Sequence, residues 1–550
     1  MTHTKRSGAP LARAQHPQQA RDAAGGLPHA VDDWTRLRRF LVLGADGATY
    51  DATRPTITRD AATAVERCIS ADGPRAVAEI VRVSGAGRAP TREPALFGLA
   101  MAAGLGDDTT RRAALDALPR VATTGAHLLR FATFVESFRG WGRALRRAVG
   151  GWYAAQPVDA LARHAVADGR SDGVEHRDLL RLAHPGRSVS ARNPTVALTP
   201  EHGRLFDWIV RGGTCDGLPP LIEGFARAQS AATAADAARL VAEFRLPHAA
   251  VRSEHLAAPD VWTALLPDMP LAALAKSLAT PARLGMLTSG AAATATVTAR
   301  LGDADAIRRA RLHPVDLLAA LRTYAAGRAG RGRHRWEPLT EIIEALDGAF
   351  HTALRHVEPT GRRLLLALDV SESMSWGEVA GVPGLSPRDA AAAMALATAA
   401  TEPRHEIVGF HAGGWFRDRG RHRHDGIPDG LARLPIAGED HIDDVVRAID
   451  ALPFGTTDCA LPMLYAQALE REVDTFVVYT DAETWVGDVH PVQALRDYRR
   501  ASGIDARLVV VGMASNGFSI ADPADAGMLD VVGFDAATPQ ILAEFARRTL

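Results

Sequence analysis

The stretch RLLLALDVSES (residues 363–373) decides the fold. Its apolar run, Leu364–Leu368, ends abruptly in Asp369-Val370-Ser371-Glu372-Ser373. A short apolar run bounded by polar residues predicts a strand buried on both faces. Four further runs of this kind follow at 406–412, 474–481, 506–513 and 528–535. Helix-patterned segments lie among them at 386–401, 440–451, 459–472, 490–502 and 538–549. This alternation predicts a doubly wound α/β domain over 361–550, with a parallel sheet covered on both faces. Such sheets bind ligands beyond the carboxyl ends of their strands.

That is where D-x-S-x-S falls. In a loop leaving a strand, residues i, i+2 and i+4 can converge, so Asp369, Ser371 and Ser373 offer one carboxylate and two hydroxyls. All are hard oxygen donors, which suit Mg²⁺, a cation that takes few protein ligands and keeps several waters. Small polar residues in this pattern also cap helices. Two other loops favour the metal. Gly455-Thr456-Thr457-Asp458 offers a hydroxyl, and Tyr479-Thr480-Asp481 ends an apolar strand with a second carboxylate. The pattern resembles the metal-ion-dependent adhesion site of von Willebrand factor A domains. That resemblance implies that Asp369, Ser371, Ser373, Thr457 and Asp481 hold a divalent cation, directly or through water. Asp458 and Glu483 fall to capping or supporting roles.

Upstream, residues 29–360 read as helix after helix, with apolar residues at helical spacing (Leu37, Phe40, Leu41; Leu317, Leu318, Leu321) and short Gly/Pro/Asp breaks. An all-α array of that length predicts a degenerate solenoid of helix pairs. Residues 1–28 read as a disordered tail. The longest apolar runs are too short to span a bilayer, and the N-terminus lacks the apolar core of a secretory signal. Three scattered cysteines (Cys68, Cys215, Cys459) fit neither a disulfide framework nor a zinc site. The expectation is a cytoplasmic protein with reduced thiols and no membrane partner.

The formal net charge of −1 conceals an asymmetry. Residues 361–550 hold 17 basic and 28 acidic side chains, leaving 46 basic and 36 acidic in residues 1–360. A basic half beside an acidic half points to a polyanionic partner. Nearly all the basic residues are arginine, a bias that a GC-rich genome also produces, although the planar guanidinium suits phosphate.

Motifs in both halves give a more specific resemblance. RLRRFLVLGADGATYDA (36–52), GWGRALRRAVGGWY (140–153), HRDLLRLAHP (176–185), ARLHPVDLLAALRTYAAGRAGRGRHRWEP (310–338), LLLALDVSESM (364–374), FGTTDCALPM (454–463) and YTDAETW (479–485) are similar to the Ro autoantigen family of TROVE-domain RNA-binding proteins. The resemblance implies a multidomain fold: a ring of HEAT-like helical repeats over 29–360, clasped by a von Willebrand factor A domain over 361–550. It implies binding of a small noncoding Y RNA on the basic outer face. Single-stranded 3′ ends of misfolded RNA would pass through the centre, with an exoribonuclease as partner. It implies no enzymatic activity and no DNA partner.

Within the matching segments, Arg139, Arg143, Arg146 and Arg147 are spaced to share one helix face. His176, Arg177, Arg181 and His184 form a second near-stripe. Both are candidate RNA contacts, against the alternative of an ordinary solvated face. Trp141 and Trp152 could stack bases, or pack in the core. The basic stretches 327–336 and 417–425 are further candidates, or plain linkers. Thr456 stands where the family has glycine, Ala482 replaces a usual asparagine, and family lysines are largely arginine or absent. Two competing readings are a metal-dependent protein-binding scaffold and a Mg²⁺-dependent nuclease. The serine and threonine ligands disfavour the nuclease. A ring closed within one chain implies a monomer.

Overall fold

All five apolar runs are strands of one sheet. The computed structural model describes residues 32–45, 49–51, 57–86, 89, 91–168, 173–185, 198–328, 334–379, 382–411, 430–452, 457–481, 488–513, 520–522, 525–534 and 537–549. The tail expected over 1–28 lies outside them, as does the basic stretch 417–425. The strands are β1 (Thr49–Asp51), β2 (Leu364–Asp369), β3 (His405–Phe410), β4 (Leu431–Arg433), β5 (Thr475–Thr480), β6 (Arg507–Gly512) and β7 (Met528–Val532), in the order β1-β7-β6-β5-β2-β3-β4. β2 is central, paired in parallel with β3 and β5.

Two features depart from the sequence expectation. The sheet is mixed, because β4 lies antiparallel on β3 at one edge. The opposite edge is supplied by the helical half, where β1 pairs in parallel with β7, Thr49 opposite Asp530. Each of the two missed strands has three residues, too short to display a period of two.

The pleat sends alternate residues to opposite faces. Leu364, Leu366 and Leu368 join a core continuous with that of the helical half. Leu365 and Ala367 face a separate core, roofed by Met463 of the helix Leu461–Ala468 and by Leu495 and Tyr498 of the helix Pro491–Ser502. The array reaches this core through the helix Pro387–Thr401, which lies against β2 and β3 and also against the array helices Pro314–Ala325 and Thr340–Leu354.

The array itself is a succession of helices with local start signals. Asp32, Asp107 and Thr124 each accept a backbone N–H at the start of the helices Asp33–Leu43, Asp108–Val121 and Gly125–Glu136. Asp72 breaks the long segment Thr63–Ala86 with a non-helical conformation and accepts the Arg75 N–H at 3.1 Å. Its neighbour Gly73 sits against Thr110, where a Cβ would come within 1.9 Å of the hydroxyl. Glycine there permits the close crossing of two helices.

Both ends of the array meet the α/β domain. At the first end, β1 joins the sheet and Arg39 donates to the carbonyls of Ala526 (2.9 Å) and Met528 (3.5 Å). At the other end, Arg322 of the helix Pro314–Ala325 bridges Asp389 and Asp443, each at 2.8 Å. Arg328 pairs with Glu378. The circuit of helices is thereby closed through the sheet.

Candidate metal centre and nucleic-acid interface

Asp369 ends β2 and is fully buried. Its Oδ1 accepts the Ser371 N–H at 2.8 Å, which folds the following loop back over the strand end. Its Oδ2 accepts the Thr457 hydroxyl at 2.9 Å and the Thr480 hydroxyl at 2.7 Å. The Ser371 and Ser373 hydroxyls lie 3.1 Å apart. Asp481, buried directly after β5, follows on the strand beside β2. The buried Cys459 thiol is pushed up first by burial, then by the negative charge of Asp369, Asp458, Asp481 and Asp530. Burial also raises the Asp369 carboxyl above its ordinary range, against the pull of its hydrogen bonds from Thr480, Ser371 and Thr457. Among the described residues, no cationic side chain lies within ion-pair distance of Asp369.

The five metal candidates are thus at the carboxyl ends of β2 and β5 and in the loop between them in space. Two supporting residues escaped the sequence reading. Thr480 precedes a candidate inside an apolar run, so it reads as strand. Arg388, also buried, donates to the Ser371 carbonyl at 2.8 Å and pairs with Asp450, fixing the serine loop from behind. Asp458 accepts the Ala460 N–H at 3.0 Å, the capping role expected of it. Thr456, Ala482 and Glu483 lie outside the described residues.

The arginine candidates divide. The helix Arg143–Ala155 starts at Arg143, after its N-cap Gly142. Arg143, Arg146 and Arg147 stand exposed on it, while Leu145, Val149 and Trp152 face inward. Arg139 precedes the helix, is half-buried, and donates to the Ala103 carbonyl at 3.1 Å. It ties off another helix and does not extend the stripe.

The short helix His176–Ala183 packs against this one. Arg177 and Arg181 are exposed one turn apart, and His184 is exposed at the C-cap in a left-handed conformation. His176 is a correction to the stripe: it is 5% exposed and belongs to the inward face with Leu179, Leu180 and Ala183. Its Nδ1 is hydrogen-bonded with the Tyr153 hydroxyl at 2.7 Å, and its Nε2 faces Asp168 at 3.4 Å. Five arginines therefore stand exposed on two adjoining helices: Arg143, Arg146, Arg147, Arg177 and Arg181. None has a carboxylate within 4.0 Å among the described residues, whereas most surface arginines elsewhere, such as Arg227 and Arg239, are paired.

Trp152 is buried with its Nε1 donating to the Ala122 carbonyl, and half-buried Trp141 donates to Glu136. Neither is presented as a stacking platform. Of the stretch 327–336, residues 329–333 lie outside the described residues, and Arg328 is engaged by Glu378.

Beneath the patch lies a polar network. Burial alone would raise the Asp168 carboxyl, but hydrogen bonds from His164 (3.0 Å) and His176 bring it down to about 2. Gly125 makes room for it, since a Cβ there would lie 2.2 Å from Asp168 Oδ2. A depressed carboxylate contributes stability above its unfolded pKa and loses it as pH falls through the folded one. Wild-type protein should therefore exceed Asp168→Asn by about 2 kcal/mol at neutral pH. That gap should close between about pH 4 and pH 2, as read by urea unfolding at a series of pH values.

A helical array closed by an α/β domain of the von Willebrand factor A type, with an oxygen-ligand cluster at the sheet's carboxyl edge, defines the class. The family model of the TROVE domain matches residues 20–207 and 246–323, and that of the Ro60 vWA domain matches residues 363–546. The chain belongs to the Ro60 family. It is 41% identical over 532 residues to the RNA-binding protein RO60 of Deinococcus radiodurans, covering 96% of each chain. It is 31% identical over 598 residues to the RNA-binding protein RO60 of Caenorhabditis elegans, covering 96% of this chain and 90% of that one. The crystal structure of the Deinococcus radiodurans RO (RSR) protein superposes with a TM-score of 0.83 at 39% identity, covering 94% of this chain and all of that one.

Proposed function

We propose that this chain is an RNA-binding ring of the cytoplasm. It takes a small noncoding RNA of the Y type on its arginine patch and single-stranded 3′ ends of misfolded RNA through its centre, serving RNA quality control or an exoribonuclease as adaptor. The carrying observation is the five exposed arginines on two adjoining helices of the TROVE segment, none with a carboxylate within 4.0 Å among the described residues, in a chain whose two named relatives are RNA-binding proteins. Guanidinium groups one helical turn apart suit phosphates of a folded RNA backbone, by shape more than by base identity. The reading assigns no catalytic role. Titrating a labelled hairpin RNA with a single-stranded 3′ tail, at several salt concentrations, tests it; salt-insensitive or absent binding would overturn it.

The second part of the proposal is a divalent cation, Mg²⁺, held by Asp369, Ser371, Ser373, Thr457 and Asp481. What supports it is a buried, oxygen-only donor set of the hardness Mg²⁺ prefers, with no cationic side chain within ion-pair distance of Asp369 among the described residues. When bound, the cation would offer an electrophilic point to an acidic group of a partner protein. This chain's residues fix the ligands: Thr480 and Thr457 orient Asp369, and Arg388 holds the serine loop. Saturating Mg²⁺, at about 100 times its Kd, should stabilise wild type by about 2.7 kcal/mol. Asp369→Ala should lose that response in thermal unfolding and keep RNA binding. An unchanged Mg²⁺ response in the variant would remove the assignment.

A further inference from the structure

At the second seam between array and sheet domain, three metal-binding side chains converge away from Asp369. Asp347 and His351 are four residues apart on the helix Thr340–Leu354, hence on one face. His441, from the α/β domain, is the N-cap of the helix Ile442–Asp450. One ligand atom from each lies within 4.8 Å of the others. Asp347 Oδ2 is 3.8 Å from His351 Nε2 and 3.4 Å from His441 Nδ1.

Two observations distinguish this from an ordinary charged seam. His351 Nε2 is buried and has no hydrogen-bond partner among the described residues, and a polar atom taken out of water in this way is costly until something ligates it. The separations already approach the spacing of ligands around one ion, since bonds of about 2.0–2.2 Å in a tetrahedron place neighbouring ligand atoms roughly 3.3–3.6 Å apart.

We propose that Asp347, His351 and His441 form a transition-metal site, suited to Zn²⁺, that staples the end of the helical array to the α/β domain. Two imidazoles and one carboxylate are a borderline-soft N₂O set, unlike the oxygen-only set at Asp369, so the two sites select different ions. The His441 side chain is 71% exposed, which leaves the fourth position to water. Two of its ligands come from the array and one from the sheet domain, so occupancy strengthens the same seam as Arg322.

Full-length protein titrated with Co²⁺ in excess Mg²⁺ tests this. We expect one equivalent with the visible absorption of four-coordinate Co²⁺, displaced by Zn²⁺. The signal should persist in Asp369→Ala and fall at least tenfold in affinity in His351→Ala and in His441→Asn, the latter keeping an N-cap. Zn²⁺ should raise the thermal midpoint of wild type and leave that of His441→Asn in place. Absence of the absorption, or its survival in both histidine variants, overturns the site; its loss in Asp369→Ala alone would move the ion to the other cluster.

Discussion

Replacing Arg143, Arg146, Arg147, Arg177 and Arg181 together by alanine should lower affinity for a tailed hairpin RNA by about 10⁴-fold at 0.1 M salt. Each phosphate neutralised contributes a slope of roughly 0.7–0.9 in log affinity against log salt. Five contacts give a slope of about 3.5–4.5, and a term that vanishes near 1 M salt is worth roughly 3 × 10³ to 3 × 10⁴ at 0.1 M. The decisive reading is the slope, which should flatten by about that amount in the variant. The fold should survive, because the side chains are exposed and alanine is the best helix former. Alanine at Arg227 and Arg239, which pair with Glu243 and Glu223, should leave binding within about threefold. An unchanged slope in the fivefold variant would place the RNA elsewhere.

Arg39→Ala should destabilise the protein by about 3 kcal/mol and loosen the first seam. The side chain is 1% exposed, and its guanidinium bridges the helix Asp33–Leu43 to carbonyls of Ala526 and Met528. Truncation leaves a cavity and two carbonyls short of a donor, each with a cost of this order. Burial holds the Arg39 pKa down to about 10, with Arg36 adding to the effect and Asp525 opposing it. The charged form is thus disfavoured by folding, a penalty present below pH 10 and relieved as pH rises through it. Arg39→Met should accordingly lose less than Arg39→Ala, since it fills the space and removes the buried charge. Chemical unfolding gives the energies, and hydrogen exchange in 528–532 reports the seam. Equal losses in both variants would refute the charge argument.

Much of the α/β domain was legible because its strands are continuous apolar runs ending in polar loops. Asp369, Ser371 and Ser373 could be placed from spacing alone, since a strand end fixes where the next few residues point. Thr480 was hidden because its hydroxyl works from within an apolar strand. β1 and β4 were hidden because three residues carry no period. The helical half was legible in kind and less so in orientation. Arg139 and His176 show why: spacing says which residues share a face, while tertiary packing decides where the helix begins and which face turns inward. Arg139 falls before Gly142, and His176 shares its face with Leu179 and Leu180.

The pairing of Thr49–Asp51 with Met528–Val532 joins residues almost a whole chain apart. Domains fold in order of synthesis, so the helices near the N-terminus are made long before their sheet partner leaves the ribosome. Long-range pairing of this kind is slow, because the loop must close before the contact stabilises it. Closure of the circuit therefore has to wait for β7. Until it happens, β7 presents a bare edge of backbone donors and acceptors, open to a strand from another chain. Crowding of nascent copies is thus the condition under which this protein is most exposed to misassembly.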